Sequence, residues 1–244
     1  MKKRAGILLF MMILCFAVIA VSDGRSLPQD VAAGDVITFG HYEQDNDLDN
    51  GPEPVDWIAL DVQDGKALLL SKYGLDDIPY NTEWADITWE ECTLRTWLNS
   101  DFLNSAFTAE EQSAILTTDV DNSSARGNSE WSTSGGNNTQ DQVFLLSCAE
   151  ANKYLGVSFV SYGINDNNRV APTAYAIARG TWGSDEYKTA DGLPAGWWWL
   201  RSPGQDQNYA ARVDYDGALL ISAVNKKDGV VRPAFWISLE LLSL

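Results

Sequence analysis

The chain has 244 residues, with 17 basic against 34 acidic side chains and a net charge of -17 at pH 7. That balance excludes nucleic acid and anionic membrane surfaces as partners, because both are recognised through basic patches. One histidine and three cysteines leave little material for a zinc site or an imidazole-based nucleophile system.

Met1-Lys2-Lys3-Arg4 precedes an apolar run from Ala5 to Val21, and polar residues follow at Ser22-Asp23-Gly24. A basic start, an apolar middle and small residues at Ala20 and Ser22 describe a secretory signal peptide over residues 1–22, cleaved after Ala20 or after Ser22. The alternative is an uncleaved anchor, for which the run sits at the lower limit of roughly 17 residues. The expected product is secreted or associated with the cell envelope, with no membrane insertion after cleavage. Because the signal carries Lys2, Lys3 and Arg4 but no acid, the mature domain is more acidic still. Residues 23–33 read as a short linker and residues 34–240 as a single domain, large enough for a full core. Export permits a disulfide between Cys92 and Cys148, but a domain of this size does not need one.

In chain order, Val36 to Phe39 reads as a strand closed by Gly40, followed by a polar loop from Glu43 to Gly51. Val55 to Val62 and Ala67 to Lys72 flank Asp64-Gly65, a hairpin signal. Alternation puts Ile58, Leu60 and Val62 on one face of the first strand and Trp57 and Ala59 on the other, so both faces are expected to be covered. The middle is helical: Thr88 with Glu91, Thr108 with Glu111 and Ser147 with Glu150 each match a capping box. Leu94, Trp97 and Leu98 form one apolar stripe, which Asn99 and Asp101 then loosen. Val143 to Leu146 reads as a short buried strand, and Pro172 and Gly180 bracket a helix over Thr173 to Arg179. Asp121 to Gln142 and Gly180 to Gly196 are long turn-rich loops, the second holding Trp182 and Tyr187; loops of this length are usually functional or disordered. A second hairpin spans Tyr209 to Asp214 and Ala218 to Ala223 around Asp216-Gly217. Strands at both ends with helices between them make an α+β domain.

The chemistry-bearing residues are few. His41 lies in a Gly-His-Tyr turn at a strand end with no nucleophile motif beside it, and reads as structural. Asp214 and Asp216 would stand roughly 6.5 Å apart if both lay on one strand, near glycosidase spacing, although Asp216-Gly217 also has the look of a turn. Asp45, Asp47 and Asp49 alternate before Gly51 in the manner of a calcium loop, but the glycine comes one place late and the closing Glu is missing; a solvated acidic loop without metal is the expectation, with calcium the alternative. Trp197 and Trp199 must face away from Trp198 on a strand, either all in the core or with one lining a ligand surface. Arg201 and Arg232, set among buried aromatics, are expected to pair with carboxylates. In the second hairpin, Ala211 and Val213 suit the inside and Arg212 and Asp214 the outside. With Gln207, Asn208, Tyr209 and Tyr215 nearby, this makes a candidate recognition surface, or an ordinary solvated hairpin.

The segments FGHYEQD, EPVDWIALDV, ALLLSKY, TWEECTLRTWLN, FLLSCAEANKYL, WWWLRSPG, YAARVDYDG and VRPAFWI, spread from Gly34 to Leu239, resemble a group of secreted bacterial domains, domain-of-unknown-function family 6273. That family looks related to the C-type-lectin-like fold, shared with formylglycine-generating enzymes and with hypervariable receptors. The resemblance implies ends brought together and a loop-rich face built by the final third. It also implies ligand contacts from exposed positions between WLRSPG and VRPAFW: Gln207, Asn208, Tyr209, Arg212, Asp214 and Tyr215. Formylglycine-generating chemistry needs a cysteine pair late in the domain, and this chain has none after Cys148. The sugar- and calcium-binding motifs of true lectins are also absent from the sequence. The expectation is a non-enzymatic domain that binds an extracellular protein or glycan, with a hydrolase using paired exposed carboxylates as the alternative.

Overall fold

The structure is a computed structural model that describes residues 31–122, 131–158 and 168–240. The expected signal peptide therefore lies outside the described residues, as does most of the expected linker. No helix among the described residues is long and apolar enough to cross a membrane.

The first strand, β1 (Val36–Tyr42), sends Ile37 and Phe39 inward, as period-two geometry requires. At Gly40 the register with β2 (Glu53–Gln63) shifts, and φ is +67°. A side chain there would also fall 2.6 Å from the Phe107 ring, so only glycine fits. β2 turns into β3 (Lys66–Ser71) through Asp64-Gly65, both with positive φ, which is the two-residue hairpin the dipeptide predicts. Val55, Trp57 and Ala59 of β2 are buried, while Ile58 and Leu60 on the opposite face are partly covered.

β11 (Ala234–Ser238) pairs antiparallel with β3, setting Phe235 opposite Leu69, and completes a sheet in the order β1-β2-β3-β11. The first and last strands thus share one sheet. Phe235 lies 4.6 Å from the Trp57 ring and 5.4 Å from Phe107, which anchors the core between this sheet and the helices.

The helical stretch runs through α1 (Thr93–Trp97), a π-helical turn (Leu98–Phe102) and α2 (Leu103–Ala106). Its start differs from the expectation at Thr88. The Thr88 carbonyl accepts from the Glu91 and Cys92 amides in a tight turn, and its side chain lies against Gly136. The cap is instead Cys92, whose Sγ accepts from the Arg95 amide. Asn99 lies with Asp101 in the π-helical turn, where the helix widens after the apolar stripe. Its amide donates to the carbonyls of Arg95 and Val143, and its Oδ1 accepts from the Gln142 and Val143 amides. The side chain stands in for a neighbouring strand, and the wide π turn gives it room to reach.

The other two capping boxes are present, at Thr108 for α3 (Ala109–Ala114) and at Ser147 for α4 (Cys148–Leu155). α5 (Ala174–Arg179) starts at Thr173 and ends at Gly180, as the Pro-to-Gly bracket predicts. Two short pairs form at the segments read as loops: β4 (Thr118–Val120), just before the first, with β5 (Thr139–Asp141) inside it, and β6 (Ser184–Lys188) with β7 (Pro194–Ala195), both inside the second. Residues 143–146 are buried but make only a single bridge, from Phe144 to Ala234, rather than a strand.

The final third forms a second sheet, β10-β9-β8, from β8 (Trp198–Pro203), β9 (Tyr209–Val213) and β10 (Leu219–Ala223). The architecture is α+β with mainly antiparallel pairing, as expected. Trp197, Trp198 and Trp199 are all buried: Trp197 and Trp199 meet edge to face at 4.7 Å, and Trp198 points the other way, donating to the Asn168 carbonyl. The reading in which one of them lines a ligand surface is thereby corrected. Cys92 and Cys148 are both buried and free, and burial pushes their thiols up to about 12 and about 11.

The two buried arginines differ. Arg201 fulfils the expected pairing: every guanidinium nitrogen is engaged, by Asn122 Oδ1, the Leu145 and Asp121 carbonyls and both oxygens of Glu150. Arg232 does not. Its Nε donates to the Ser71 carbonyl and its plane lies 4.9 Å from the Trp198 ring, but Nη1 has no hydrogen-bond partner and no carboxylate pairs with it among the described residues. Burial alone pushes its pKa down to about 9.

Candidate recognition surface

The β9–β10 hairpin carries the six residues read as contact positions, and it divides them into two groups. Gln207 and Asn208 precede β9 and serve the fold. The Gln207 side chain donates to the Ile87 and Ser134 carbonyls, and its own carbonyl accepts from the Ile87 amide. The Asn208 carbonyl accepts from the Val224 amide, while its buried Oδ1 has no partner. Tyr209 is half-buried and packs over Gly204, where a side chain would come within 2.6 Å of it. Gln207 ties the segments around 87 and 134 to the second sheet, and all three residues are half-buried.

Arg212, Asp214 and Tyr215 stand at the other end of β9. Asp214 is not outside, as alternation implies, but only 5% exposed. It leaves the strand after Val213, and its carboxylate turns back to Arg212 at 3.2 Å. Burial raises its pKa, with the Arg212 charge opposing. Arg212 in turn lies 4.7 Å over the Trp197 ring, so the ion pair rests on the buried tryptophans. Asp216 sits in the turn and accepts from the Ala218 amide. The two acids do not lie on one strand, so the glycosidase-like spacing considered for them is not realised.

Tyr215 belongs to an aromatic ridge that the hairpin alone does not predict. The Trp182 ring, 53% exposed, meets Tyr215 edge to face at 5.5 Å. Tyr187 lies 5.4 Å from Tyr215 on its other side, and the Arg169 guanidinium stands 5.4 Å from the Tyr187 ring. Trp182 is held from behind: its amide donates to the Asp228 carbonyl, the Asp228 amide donates to Asp77, and Trp197 Nε1 donates to the Asp228 carboxylate. Three rings from two chain segments thus form one partly exposed ridge, with the Arg212–Asp214 pair beneath. A tryptophan and a tyrosine stranded among Gly, Ser and Asp between Gly180 and Gly196 were the available signal.

Three carboxylates of the acidic loop accept hydrogen bonds, while Glu43 Oε1 is buried without a hydrogen-bond partner. Asp45 accepts from the Asp47 amide and the Asn50 side chain, Asp47 accepts from the Asp49 amide, and Glu53 accepts from the Gln44 amide. Glu43, Asp45 and Glu53 lie within 4.8 Å of one another, a set different from the Asp45, Asp47, Asp49 alternation. His41 is exposed on β1, opposite Pro54.

Fold and surface together define an α+β domain in which two sheets support a ridge of aromatic side chains. One family model, described as Domain of unknown function (DUF6273), matches residues 64–239, and the chain belongs to that family. The match begins in the β2–β3 turn, so β1 and β2 lie outside it although they are paired into the same sheet. Neither a curated protein nor a solved structure matches the chain.

Proposed function

We propose that this chain is an exported, non-enzymatic binding domain that recognises an extracellular glycan through the ridge of Trp182, Tyr187 and Tyr215. The observation that carries the reading is Trp182, a large ring left 53% exposed, set edge to face against Tyr215 on a backbone tied to the Asp228 turn. Rigid aromatic side chains supply contact area at small entropic cost. A sugar ring offers C–H groups to their faces and hydroxyls to the tyrosine oxygens. Export through residues 1–22 and a C-type-lectin-like fold belong to the same proposal. The fold assignment is supported by β1 and β11 sharing one sheet and by the loop-rich final third.

The test is a glycan array probed with the chain lacking residues 1–22, alongside Trp182→Ala. Binding to a subset of glycans, weakened at least tenfold in the variant, is the expected result. Failure to retain any glycan refutes the glycan assignment, and release of reducing sugar from a bound glycan refutes the non-enzymatic one.

A further inference from the structure

A second place in the fold has the features of a site, and it shares Arg169 with the aromatic ridge. The outer face of β2, the segment after β3 and the end of α4 enclose a cavity of about 580 Å³. Ile58 and Leu60 supply an apolar wall, Tyr73 and Tyr154 line it further, the Tyr154 hydroxyl donating to Asp61, and Lys72 and Arg232 bring positive charge. The volume falls in the range of roughly 300–1,000 Å³ typical of small-molecule sites.

The charge of the lining runs against the rest of the molecule. In a chain of net charge -17, Lys72 and Arg232 bring positive charge to this cavity, and Asp191 is the single acid among its described lining residues. Arg169 is fixed at one side by the Lys188 and Asp216 carbonyls. Arg232 is 2% exposed and uses Nε on the Ser71 carbonyl, while Nη1 has no partner. A guanidinium offers five donors in a planar fork suited to a carboxylate, and the fold keeps this one enclosed without providing the carboxylate. Arg201, of equal burial, shows that the same fold can satisfy an arginine completely.

We propose that this cavity binds a small organic monocarboxylate, its carboxylate on Arg232 with Lys72 nearby and its apolar body against Ile58 and Leu60. One enclosed guanidinium and one ammonium suit a single negative charge, and the apolar wall requires a ligand with a hydrocarbon or aromatic body. This site touches the aromatic ridge through Arg169, but the contacts proposed for its ligand, Arg232, Lys72, Ile58 and Leu60, are not ridge residues and do not depend on the glycan reading.

The test is NMR titration of the chain with benzoate, with benzyl alcohol as the uncharged counterpart and phenyl phosphate as the competing anion. Benzoate is expected to give saturable shifts at residues 58–60, 72–73 and 154–155. Its dissociation constant is expected to rise at least tenfold in Arg232→Met and about threefold in Lys72→Met, with benzyl alcohol at least tenfold weaker than benzoate on the unaltered chain. Absence of saturable benzoate shifts, equal binding of benzyl alcohol, or unchanged affinity in either folded variant would overturn the proposal. Phenyl phosphate binding more than tenfold tighter than benzoate would overturn the monocarboxylate assignment. If Arg232→Met does not fold, Lys72→Met and the three probes on the unaltered chain decide the matter.

Discussion

The two buried arginines invite the same substitution with opposite outcomes. In Arg201→Met, the Leu145 and Asp121 carbonyls, Asn122 Oδ1 and the Glu150 carboxylate lose their donors at once. Breaking a buried ion pair from one side costs about 3–5 kcal/mol. At about 2–4 °C per kcal/mol for a domain of this size, the melting temperature falls by about 6–20 °C. Arg232→Met removes one bond to Ser71 and the contact with Trp198, together worth about 2–5 kcal/mol. It also removes a charge whose pKa burial has pushed down to about 9 from a usual value above about 12, a penalty on the order of 4–5 kcal/mol at about 1.4 kcal/mol per tenfold step. The expected net change lies between a loss of about 1 and a gain of about 3 kcal/mol, centred on a gain of about 1 kcal/mol. Its sign with pH is fixed by linkage. Above about 9 the folded chain releases the Arg232 proton before the unfolded chain does, so the penalty fades as pH rises, and below about 9 it is present in full. Urea unfolding at pH 7 and at steps above pH 9 checks this: the stability of Arg232→Met should fall within that range of the unaltered chain's at pH 7, and any advantage should shrink with rising pH. A loss of 3 kcal/mol or more at pH 7 that does not change with pH would mean the guanidinium is satisfied in the fold, which refutes the reasoning.

Asn99→Leu should destabilise by about 2–4 kcal/mol, because it leaves the Gln142 and Val143 amides without acceptors; thermal unfolding followed by circular dichroism measures this. Cys92 and Cys148 should resist alkylation in the native state and react in urea, read by peptide mass mapping, since their thiols are buried and pushed up to about 12 and about 11. Asp214 has a folded pKa raised by burial, so its penalty is present at neutral pH and is relieved as pH falls through that value. The stability of the unaltered chain relative to Asp214→Asn should therefore rise between pH 7 and about 4, and a falling difference in urea midpoints would contradict the burial argument.

What was legible in the sequence was mostly local. Asp64-Gly65, the boxes at Thr108 and Ser147 and the helix from Thr173 to Gly180 depend on residues within a few positions of each other, and each formed as read. The alternation of Trp197 to Trp199 held because strand geometry admits no other arrangement. Thr88 failed as a cap because Gly136, far along the chain, packs on its side chain. Asn99 read only as an interruption of the apolar stripe because its partners at 142 and 143 are 40-odd residues away, a separation no periodicity reveals. Asp214 obeyed period two only as far as the strand lasted. Of the six contact positions, Tyr215 alone joins the exposed ridge, and its partner Trp182 comes from another segment. Arg232 was recognised as buried, but what faces it depends on which carboxylates the fold brings near.

The pairing of β11 with β3 has a consequence for biogenesis. Until Ala234–Ser238 has been synthesised, the Leu68-Leu69-Leu70 edge of β3 has no ladder partner on that side. An apolar strand with an open edge is a template for pairing with other chains. The nascent protein therefore carries this open apolar edge from Ser71 until Ser238, about two thirds of the synthesis of its 244 residues, and a holding chaperone would have to cover it for that time.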